Sequence, residues 1–185
     1  MYDSKHNSDS VSGNNDELLE YIRDIVDFPK KGIVFKDITP LLLDKRAFRI
    51  MVDKISYKFQ DSNIDIVAAI DARGFLIGSA VAYALNAGIV PIRKKGKLPY
   101  ETLEVEYDLE YGTDTLEVHT DAIRSGQTVL LVDDLLATGG TAQAAINMIK
   151  KCNGNLLCSV FVIELTELKG REKLEGASVY SMLQY

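Results

Sequence analysis

The sequence predicts an α/β protein in which a central, mainly parallel sheet is covered by helices on both faces. Three observations support this fold class. Apolar, strand-like runs alternate along the chain with segments of helical periodicity. Two of these runs end in glycine-containing loops that lead directly into helix-forming sequence. The length of 185 residues, 46% of them hydrophobic, suits one domain with a sizeable core.

The amino-terminal part of the chain is expected to contain a leader, a helix and a loop. Residues 1–15 are rich in Ser, Asn and Asp and predict a flexible leader, so that the domain itself covers residues 16–185. Apolar residues at helical spacing predict a helix over residues 16–26, capped by Asn15. Two prolines and a glycine then favour a loop over residues 28–40.

The rest of the chain predicts alternating helices and strands. A helix capped by Asp44 is expected to run to about Phe59. Strands are predicted over residues 64–70, 89–93, 129–132, 156–165 and 179–183. Further helices are predicted over residues 74–86 and 142–151. The intervening segment, residues 94–115, is polar and alternating, and is expected to form a two-stranded flap.

Composition and charge exclude several function classes. The net charge of −6 argues against nucleic acid as a main partner. The chain has no apolar run of membrane-spanning length and no signal-peptide pattern at its N-terminus, so we expect no membrane partner and a cytoplasmic protein. The two cysteines, Cys152 and Cys158, are expected to be core or surface thiols, because no histidine lies near them in sequence. His119 is expected to be a strand side chain.

The most informative segment reads VLLVDDLLATGGT, from Val129 to Thr141. Its first four residues are typical of a buried parallel strand, and residues 138–141 would open a helix at the carboxyl end of that strand. Backbone N–H groups and the helix dipole converge there on an anion, and the two glycines let the backbone approach it closely. Because open α/β sheets bind ligands at this edge, the segment predicts a phosphate site.

Asp133 and Asp134 stand between that strand and the loop. Carboxylates repel phosphate, so we expect them instead to accept hydrogen bonds from sugar hydroxyls or to hold Mg2+ through water. An ATPase-type phosphate loop is excluded because Thr141, and not a lysine, follows Gly140. The dinucleotide-binding pattern Gly-x-Gly-x-x-Gly is absent as well. The alternative is a strand whose acids merely face solvent before a helix cap.

This segment resembles the signature of the type I phosphoribosyltransferases, which bind 5-phosphoribosyl-1-pyrophosphate (PRPP). The resemblance implies that Asp133 and Asp134 serve the ribose hydroxyls and the metal. The metal would be Mg2+, held through substrate and water with no direct protein ligand. The resemblance also implies a loop around the 5-phosphate, formed by Ala137, Thr138, Gly139, Gly140 and Thr141.

Two cationic segments could hold the pyrophosphate. Arg73 lies between a predicted strand and a predicted helix and can bind an oxyanion bidentately, although taken alone it could be an ordinary surface arginine. Further along the chain, four cations lie within the five residues 93–97. Such a run is usually a solvated face. This one, however, opens a long loop, and long loops in compact domains are usually functional. We expect Arg93 and Lys97 to stabilise the departing pyrophosphate. Lys94 and Lys95 are expected to face solvent or a partner subunit.

From Asp27 onward the chain resembles the adenine phosphoribosyltransferases. The matching segments cover residues 27–40, 71–78, 96–99, 109–112, 129–141 and 164–173. The resemblance implies the type I phosphoribosyltransferase fold, with a flexible two-stranded flap and a small hood, and it implies a homodimer. It further implies that adenine reacts with PRPP to give AMP and pyrophosphate, a step of purine salvage.

Ala137 bears on the choice of base. Enzymes of this fold that use 6-oxopurines usually carry an acid within the phosphate loop, at the place that Ala137 occupies here. An enzyme with alanine there must find its acid or base elsewhere. The resemblance selects Glu110 in the flap as the catalytic acid or base, a choice that composition cannot make among the many flap acids. It also adds the neighbouring Tyr111 to the PRPP site.

The resemblance places the purine ring on Phe35, with Val34 and Leu165 completing an apolar slot. Stacking on an aromatic ring tolerates any base. The backbone C=O and N–H of Lys36 could pair with the 6-amino group and N1 of adenine, and they would leave unpaired groups with hypoxanthine. Position 36 is arginine in some members of the family, which leaves these backbone contacts unaffected. The alternative is that Phe35 is a plain core residue.

Two other functions stay open at this point. One is a regulator that keeps the fold and senses PRPP without catalysis, although such proteins usually need an added DNA-binding segment and a basic face. The other is a phosphoribosyltransferase for xanthine or another base. Both would use the same phosphate loop, so an assay with several bases is needed to separate them.

Overall fold

The computed structural model describes residues 15–108, 112–174 and 176–185. In this part of the chain, helices flank a seven-stranded sheet, and a separate two-stranded sheet forms the small hood. The predicted fold class is therefore confirmed.

The strands in chain order are β1 Arg23–Val26, β2 Val34–Asp37, β3 Ile66–Ile70, β4 Gly88–Lys94, β5 Thr102–Asp108, β6 Thr113–His119, β7 Thr128–Leu136, β8 Asn155–Glu164 and β9 Val179–Gln184. The α-helices are α1 Thr39–Leu43, α2 Lys45–Phe59, α3 Arg73–Leu85, α4 Gly140–Lys151 and α5 Gly170–Lys173. Short 3-10 helices cover Asn15–Tyr21 and Thr166–Leu168.

The order of strands in the large sheet places the ligand-binding edge. The order is β5-β6-β4-β3-β7-β8-β9, and the five strands from β4 to β9 are parallel. Strands β3 and β7 are neighbours, in a register that pairs Ile66 with Val129 and Ala69 with Val132. The loops that follow these two strands therefore leave the sheet side by side.

The core lies on both faces of the sheet. Strand β3 is buried at every position, as the parallel strands of a doubly covered sheet must be. On one face, α2 and α3 pack against alternate strand residues such as Val67 and Leu130. On the other face, α4 packs against Ala68 and Leu131. This burial fixes the strand register and so the position of every side chain at the carboxyl edge.

The predictions for the amino-terminal segment are partly wrong. The helix expected over residues 16–26 is a 3-10 helix that ends at Tyr21, and strand β1 follows it. Of the apolar residues that suggested one helical face, Leu18 is fully buried whereas Val26 is 69% exposed. Strand β1 instead pairs with β2, where the Arg23 guanidinium donates to the Asp37 carboxylate at 2.6 Å.

The loop expected over residues 28–40 also contains regular structure. It includes strand β2 and the start of α1, because the chain must return to pair with β1. Pro40 suggested a break in the chain but lies in the first turn of α1, where a proline costs no hydrogen bond. The residues expected to bind adenine therefore lie on the hood strand β2 rather than in a loop.

Most other elements lie where they were predicted. Asp44 caps α2, since its carboxylate accepts hydrogen bonds from the N–H groups of Arg46 at 2.9 Å and Ala47 at 2.8 Å. The flap strands β5 and β6 pair as expected, and β6 also pairs with β4, so the flap extends the large sheet. Strand β7 is longer than predicted: it continues through both acids to Leu136 because β8 pairs with it over that length.

Several smaller expectations can also be compared with the structure. The predicted leader, residues 1–15, lies outside the described residues except for Asn15. Cys158 is buried and Cys152 is half-buried, and both thiols are free. His119 is the last residue of strand β6, as expected. Within the described residues, no helix combines the length and apolar character that a membrane span requires.

Candidate active site

A cleft of about 410 Å3 opens at the carboxyl edge of β3 and β7. Five parts of the chain form its walls: the loop after β3, the end of β4, the end of β7, the loop before α4, and the flap strands. The lining residues are Ile70, Asp71, Ala72, Arg73, Lys94, Tyr107, Asp114, Leu116, Asp133, Asp134, Leu135, Leu136, Ala137, Thr138, Gly139, Gly140, Thr141 and Ala142. All five residues of the expected phosphate loop, and both acids beside it, therefore face one space.

The loop before α4 has the backbone of an anion site. Gly139 adopts a left-handed conformation, with φ of 82°, and stands at the N-cap of α4. A glycine brings no side chain to this position, so the first N–H groups of α4 have no side-chain acceptor from their own N-cap. Those N–H groups and the dipole of a three-turn helix make the loop a suitable binding site for a phosphate.

The two acids are held in the cleft wall. The Asp133 carboxylate accepts a hydrogen bond from the N–H of Asp134 at 2.9 Å. A Cβ atom at Gly74 would lie 2.9 Å from Asp133 Oδ1, so glycine at this position allows α3 to approach β7 beside the acids. Burial, and then the neighbouring Asp134 charge, raise the pKa of Asp133. The wall thus offers hydrogen-bond acceptors at a fixed place beside the phosphate loop.

Arg73 connects the acids with the hood. Its Nε donates to the Asp134 carboxylate at 2.6 Å, and its guanidinium lies 5.2 Å from the centre of the Phe35 ring. The Phe35 ring in turn meets the edge of Phe28, with centroids 5.3 Å apart. These contacts place the hood aromatic residue beside the wall that carries Asp134, although Phe35 itself does not line the cleft described above.

The cations after β4 have different surroundings. Arg93 Nε donates to the Asp71 carboxylate at 3.2 Å, and its Nη1 donates to the carbonyl oxygen of Lys97 at 3.3 Å. Lys95 is exposed and pairs with Glu104, as expected of a solvated residue. The Lys97 side chain is exposed and does not contribute to the cleft lining.

The expectation for Lys94 is met only in part, because its side chain is 60% exposed but also has a place in the cleft. It lines the cleft, where its Nζ lies 3.0 Å from the Asp114 carboxylate, rather than facing only solvent or a partner. The physical reason is the pairing of β4 with β6, which sets Lys94 opposite Leu116 at the flap side of the cleft. The ion pair with Asp114 also raises the pKa of Lys94 and lowers that of Asp114.

Besides Lys94, sequence reasoning missed three polar residues of the cleft. Asp71 directly follows β3, and the argument that found Asp133 after its strand could have found it. Tyr107 and Asp114 face each other across the flap, with the Tyr107 hydroxyl 3.4 Å from the Asp114 carboxylate. Tyr107 and Thr141 line the same cleft, so the flap lies beside the phosphate loop. No local pattern reveals Tyr107 or Asp114, because their meeting depends on strand pairing.

The residues expected to bind adenine lie at the hood and at the end of β8. Val34 is 43% exposed, whereas Phe35 and Lys36 are half-buried on β2. Lys36 Nζ pairs with Asp24 at 2.8 Å, and the same two residues are partners in the pairing of β1 with β2. Leu165 follows β8, and its N–H donates to the carbonyl oxygen of the cleft residue Leu136 at 2.9 Å.

Two of the expected site residues cannot be placed. Glu110 and Tyr111 lie outside the described residues, between the flap strands β5 and β6. Their roles therefore stay predictions from the family resemblance. The two strands on either side of these residues pair as far as Asp108 and Thr113.

The acidic residues of the cleft suit a metal bound mainly by substrate. In the part of the chain that the structure describes, no group of three or more His, Cys, Asp or Glu residues is arranged to hold a metal ion. Asp133 and Asp134 nevertheless present carboxylate oxygens beside the phosphate loop. Mg2+ keeps several water ligands and is commonly bound through one or two carboxylates and substrate phosphates, so this donor set fits it.

A buried acid organises the cationic loop from behind. Glu117 is only 3% exposed and accepts three backbone hydrogen bonds, from the N–H groups of Gly96 at 3.1 Å, Lys97 at 2.7 Å and Leu98 at 2.7 Å. Burial acts to raise the pKa of Glu117, but these N–H groups and the Arg93 charge outweigh it, and the pKa is lowered. Glu117 thus contributes stability in its charged form.

We expect Glu117→Gln to lower the unfolding free energy by about 1–3 kcal/mol at neutral pH, since the amide cannot accept from the N–H of Gly96. The folded-state pKa is depressed, so the advantage of Glu117 is complete above its ordinary pKa of 4.5 and is lost as the pH falls through the folded value. Urea unfolding between pH 7 and pH 3 measures this. Glu104→Gln, on the paired strand and exposed, is the control and should change little. If the unfolding free energies of Glu117→Gln and the unaltered chain differed by the same amount at all pH values, the stabilising role of the charged Glu117 would be contradicted.

Comparison with known proteins identifies one consistent family. A profile described as the phosphoribosyl transferase domain matches residues 41–182. An adenine phosphoribosyltransferase from Halothermothrix orenii is 57% identical over 168 residues, which cover 91% of this chain and 99% of that relative. The crystal structure of the adenine phosphoribosyltransferase from Thermoanaerobacter pseudethanolicus has a TM-score of 0.90 at 49% identity, covering 92% of this chain and 99% of that one.

A third relative was solved with ligands bound. The adenine phosphoribosyltransferase from Saccharomyces cerevisiae, in complex with adenine and an imino-altritol bisphosphate, has a TM-score of 0.89 at 38% identity. The match covers 94% of this chain and all of the yeast chain.

Proposed function

The chain belongs to the adenine phosphoribosyltransferase family, and we propose that it catalyses the reaction of adenine with PRPP to give AMP and pyrophosphate. One observation carries this proposal: a glycine-capped helix N-terminus and two adjacent acids face the same cleft. The helix N-terminus suits a phosphate and the two acids suit a sugar. These two sites are neighbours in the cleft, as the 5-phosphate and the ribose are neighbours in PRPP. The reaction belongs to purine salvage.

We assign the parts of PRPP to the parts of the cleft. The loop from Ala137 to Thr141 would hold the 5-phosphate, and Asp133 and Asp134 would accept hydrogen bonds from the ribose hydroxyls. The cations Arg73, Arg93 and Lys97, with Tyr111, would hold the pyrophosphate. Support comes from the contacts of Arg73 and Arg93 with cleft acids, which these guanidinium groups can exchange for phosphate oxygens.

The purine would lie on the hood. Phe35 would stack on the ring, and Val34 and Leu165 would complete the slot. The C=O and N–H groups of Lys36 would pair with the 6-amino group and N1. Two contacts support this placement. The Phe35 ring contacts the guanidinium of Arg73, and the N–H of Leu165 donates a hydrogen bond to the carbonyl oxygen of the cleft residue Leu136.

The chemistry follows from these positions. The bond between C1 of the ribose and the pyrophosphate oxygen breaks ahead of the attack by purine N9, so the ribose becomes cation-like. Arg73, Arg93 and Lys97 take up negative charge on the departing pyrophosphate, and Glu110 moves a proton at purine N7. The flap must close over the cleft, because water would otherwise compete for the ribosyl cation. Mg2+ near Asp133 and Asp134 would help to neutralise the pyrophosphate when it is bound.

We further propose that the protein is a homodimer in the cytoplasm. On the outer face of α3, Leu76 is 56% exposed and Tyr83 is 90% exposed, and a separation of seven residues puts them on the same side of the helix. Ile89 of β4 is 44% exposed and reaches Gly78 of that helix. A second copy of the chain would cover this apolar face. The two free thiols are consistent with a reducing compartment.

We expect Phe35→Ala to raise the KM for adenine by about 5- to 150-fold, because stacking of a base on an aromatic ring contributes about 1–3 kcal/mol. The KM for PRPP should change much less, since Phe35 does not line the cleft that holds the sugar phosphate. Steady-state kinetics with each substrate varied in turn measures both values. Tyr57→Ala removes an aromatic ring that is 66% exposed on α2 and serves as the control. An unchanged KM for adenine would indicate that Phe35 is a plain core residue.

The proposed reaction is tested by incubating the purified chain with adenine, PRPP and Mg2+ and measuring AMP by chromatography. Equal amounts of AMP and pyrophosphate, dependent on both substrates, are the expected result. Absence of AMP under these conditions would contradict the proposed function.

A further inference from the structure

The segment Glu164–Lys173 lies behind the phosphate loop. None of its described residues lines the cleft, yet Gly170 is buried directly against the loop backbone. A Cβ atom added at Gly170 would overlap the carbonyl oxygen of Ala137 and would lie 3.0 Å from the nitrogen of Gly139. The two stretches of backbone are thus in direct contact, with no space for a side chain between them.

The contact is mutual. A Cβ atom added at Gly139 would overlap the carbonyl oxygen of Gly170 and would lie 3.2 Å from its Cα atom. Gly139 is also the left-handed N-cap of α4, so its position sets the direction of the first N–H groups of that helix. A displacement of Gly170 would therefore move the atoms that are to bind a phosphate.

An ion pair between the exposed Arg171 and the buried Glu164 holds Gly170 in place. Arg171, the next residue, donates to both carboxylate oxygens of Glu164, from Nε at 2.9 Å and from Nη2 at 2.5 Å. It also donates to the carbonyl oxygen of Val179 at 3.0 Å. The Ser181 hydroxyl donates to the same Glu164 carboxylate at 2.6 Å. Helix α5 is therefore fixed to both β8 and β9.

The acid of this ion pair lies beside the end of β7, the strand that leads into the phosphate loop. Glu164 is the last residue of β8 and pairs in register with Leu136, the last residue of β7. Ala137 follows Leu136 directly. Glu164 is 4% exposed, and the Arg171 guanidinium is the main cause of its lowered pKa. The loop is thus held at its start by the sheet and from behind by Gly170.

We propose that Gly170 and Arg171, with Glu164, are positioning residues for the 5-phosphate of PRPP. They act through the backbone of Ala137 and Gly139 and touch no substrate themselves. This inference rests on the proposed function, which assigns the 5-phosphate to the loop before α4. Tight binding of the 5-phosphate would then depend on these three residues, which lie outside the cleft and hold the loop backbone in position.

The guanidinium of Arg171 is turned away from the ligand. Its three nitrogens donate to Glu164, to the backbone of Val179 and, at 3.3 Å, to the Ser181 hydroxyl. An arginine that bound phosphate directly would need those donors for the ligand. A positioning role therefore predicts a selective loss of affinity for sugar phosphates, with the adenine site left intact.

The test is Gly170→Ala in the full chain. Because the added methyl group must push the Ala137 carbonyl aside, we expect the KM for PRPP to rise by about 10- to 100-fold, since displacements near 1 Å cost about that much. The KM for adenine should stay within about twofold. Ribose 5-phosphate, titrated in the absence of turnover, should bind weaker by the same factor as PRPP. Gly88→Ala is the matched control, because its Cβ would lie 3.0 Å from the tip of the Ile66 side chain and in ordinary contact, at 3.6 Å, with the carbonyl oxygen of Asp65.

Arg171→Lys provides a second variant in case Gly170→Ala does not fold. It keeps the charge but not the two parallel hydrogen bonds to Glu164, so a smaller rise in the KM for PRPP alone is expected. An unchanged KM for PRPP in a folded variant, or equal rises for PRPP and adenine, would overturn the inference.

The binding titration separates this inference from the proposed function. If the unaltered chain binds ribose 5-phosphate but forms no AMP, the proposed function fails, and the comparison of the two chains in binding still decides the role of Gly170. If the unaltered chain does not bind ribose 5-phosphate at all, the inference that Gly170 positions a phosphate-binding loop is overturned.

Discussion

Glu110→Gln is expected to lower kcat by about two to four orders of magnitude, because an amide cannot transfer the proton at purine N7. The KM values for adenine and PRPP should change far less than kcat, since the side chain keeps its size and most of its hydrogen-bonding capacity. Steady-state kinetics over a range of both substrates measures this. The prediction rests on the family resemblance together with Ala137, which leaves the phosphate loop without an acid of its own.

The flap offers a matched control for this variant. Glu106→Gln alters another acid of the same segment, exposed on strand β5, and should leave kcat nearly unchanged. If Glu110→Gln retains a near-normal rate, Glu110 is not the acid or base. If the two variants lose activity equally, the effect belongs to the charge of the flap and not to one proton.

Asp133→Asn is expected to reduce kcat/KM for PRPP by about 10^2- to 10^3-fold. A charge-assisted hydrogen bond to a ribose hydroxyl contributes about 1.5–3 kcal/mol, and the carboxylate also faces positive charge as the ribose becomes cation-like. Both the KM for PRPP and kcat should therefore worsen. The amide oxygen can still accept the hydrogen bond from the Asp134 N–H, so the fold should survive.

The measurement is again steady-state kinetics, supported by a titration with ribose 5-phosphate. Asp121→Asn, an exposed acid after β6, is the control and should behave like the unaltered chain. An unchanged KM for PRPP in Asp133→Asn would count against the ribose assignment, even if kcat falls. A fall in kcat alone would instead point to a role confined to the transition state.

Much of the fold could be predicted because its signals are local. The apolar runs of β3 and β7 are buried on both faces, and such strands have a recognisable composition. The cap at Asp44 and the glycine at the start of α4 are equally local. The hood could not be predicted in this way. Strand β1 is mostly exposed and exists because β2 returns to pair with it.

The candidate site shows the same division. The sequence order of acids, glycines and threonines predicted a phosphate loop, and the structure brings those residues into one cleft. Tyr107, Asp114 and the correct surroundings of Lys94 depend on the pairing of β5 and β6 with the sheet, and no short pattern encodes that pairing. The support by Gly170 is of the same kind, since it joins residues that are 31 positions apart in sequence (170 − 139).

The central claim is that this cleft transfers a phosphoribosyl group to adenine in particular. The most direct measurement is pyrophosphate release from PRPP and Mg2+, with adenine, hypoxanthine, guanine and xanthine tested in parallel. We expect release with adenine, and values of kcat/KM lower by about 10^4 for the three 6-oxopurines, which would leave the C=O and N–H of Lys36 unpaired. Equal or faster release with a 6-oxopurine, or no release with any base, would contradict the account.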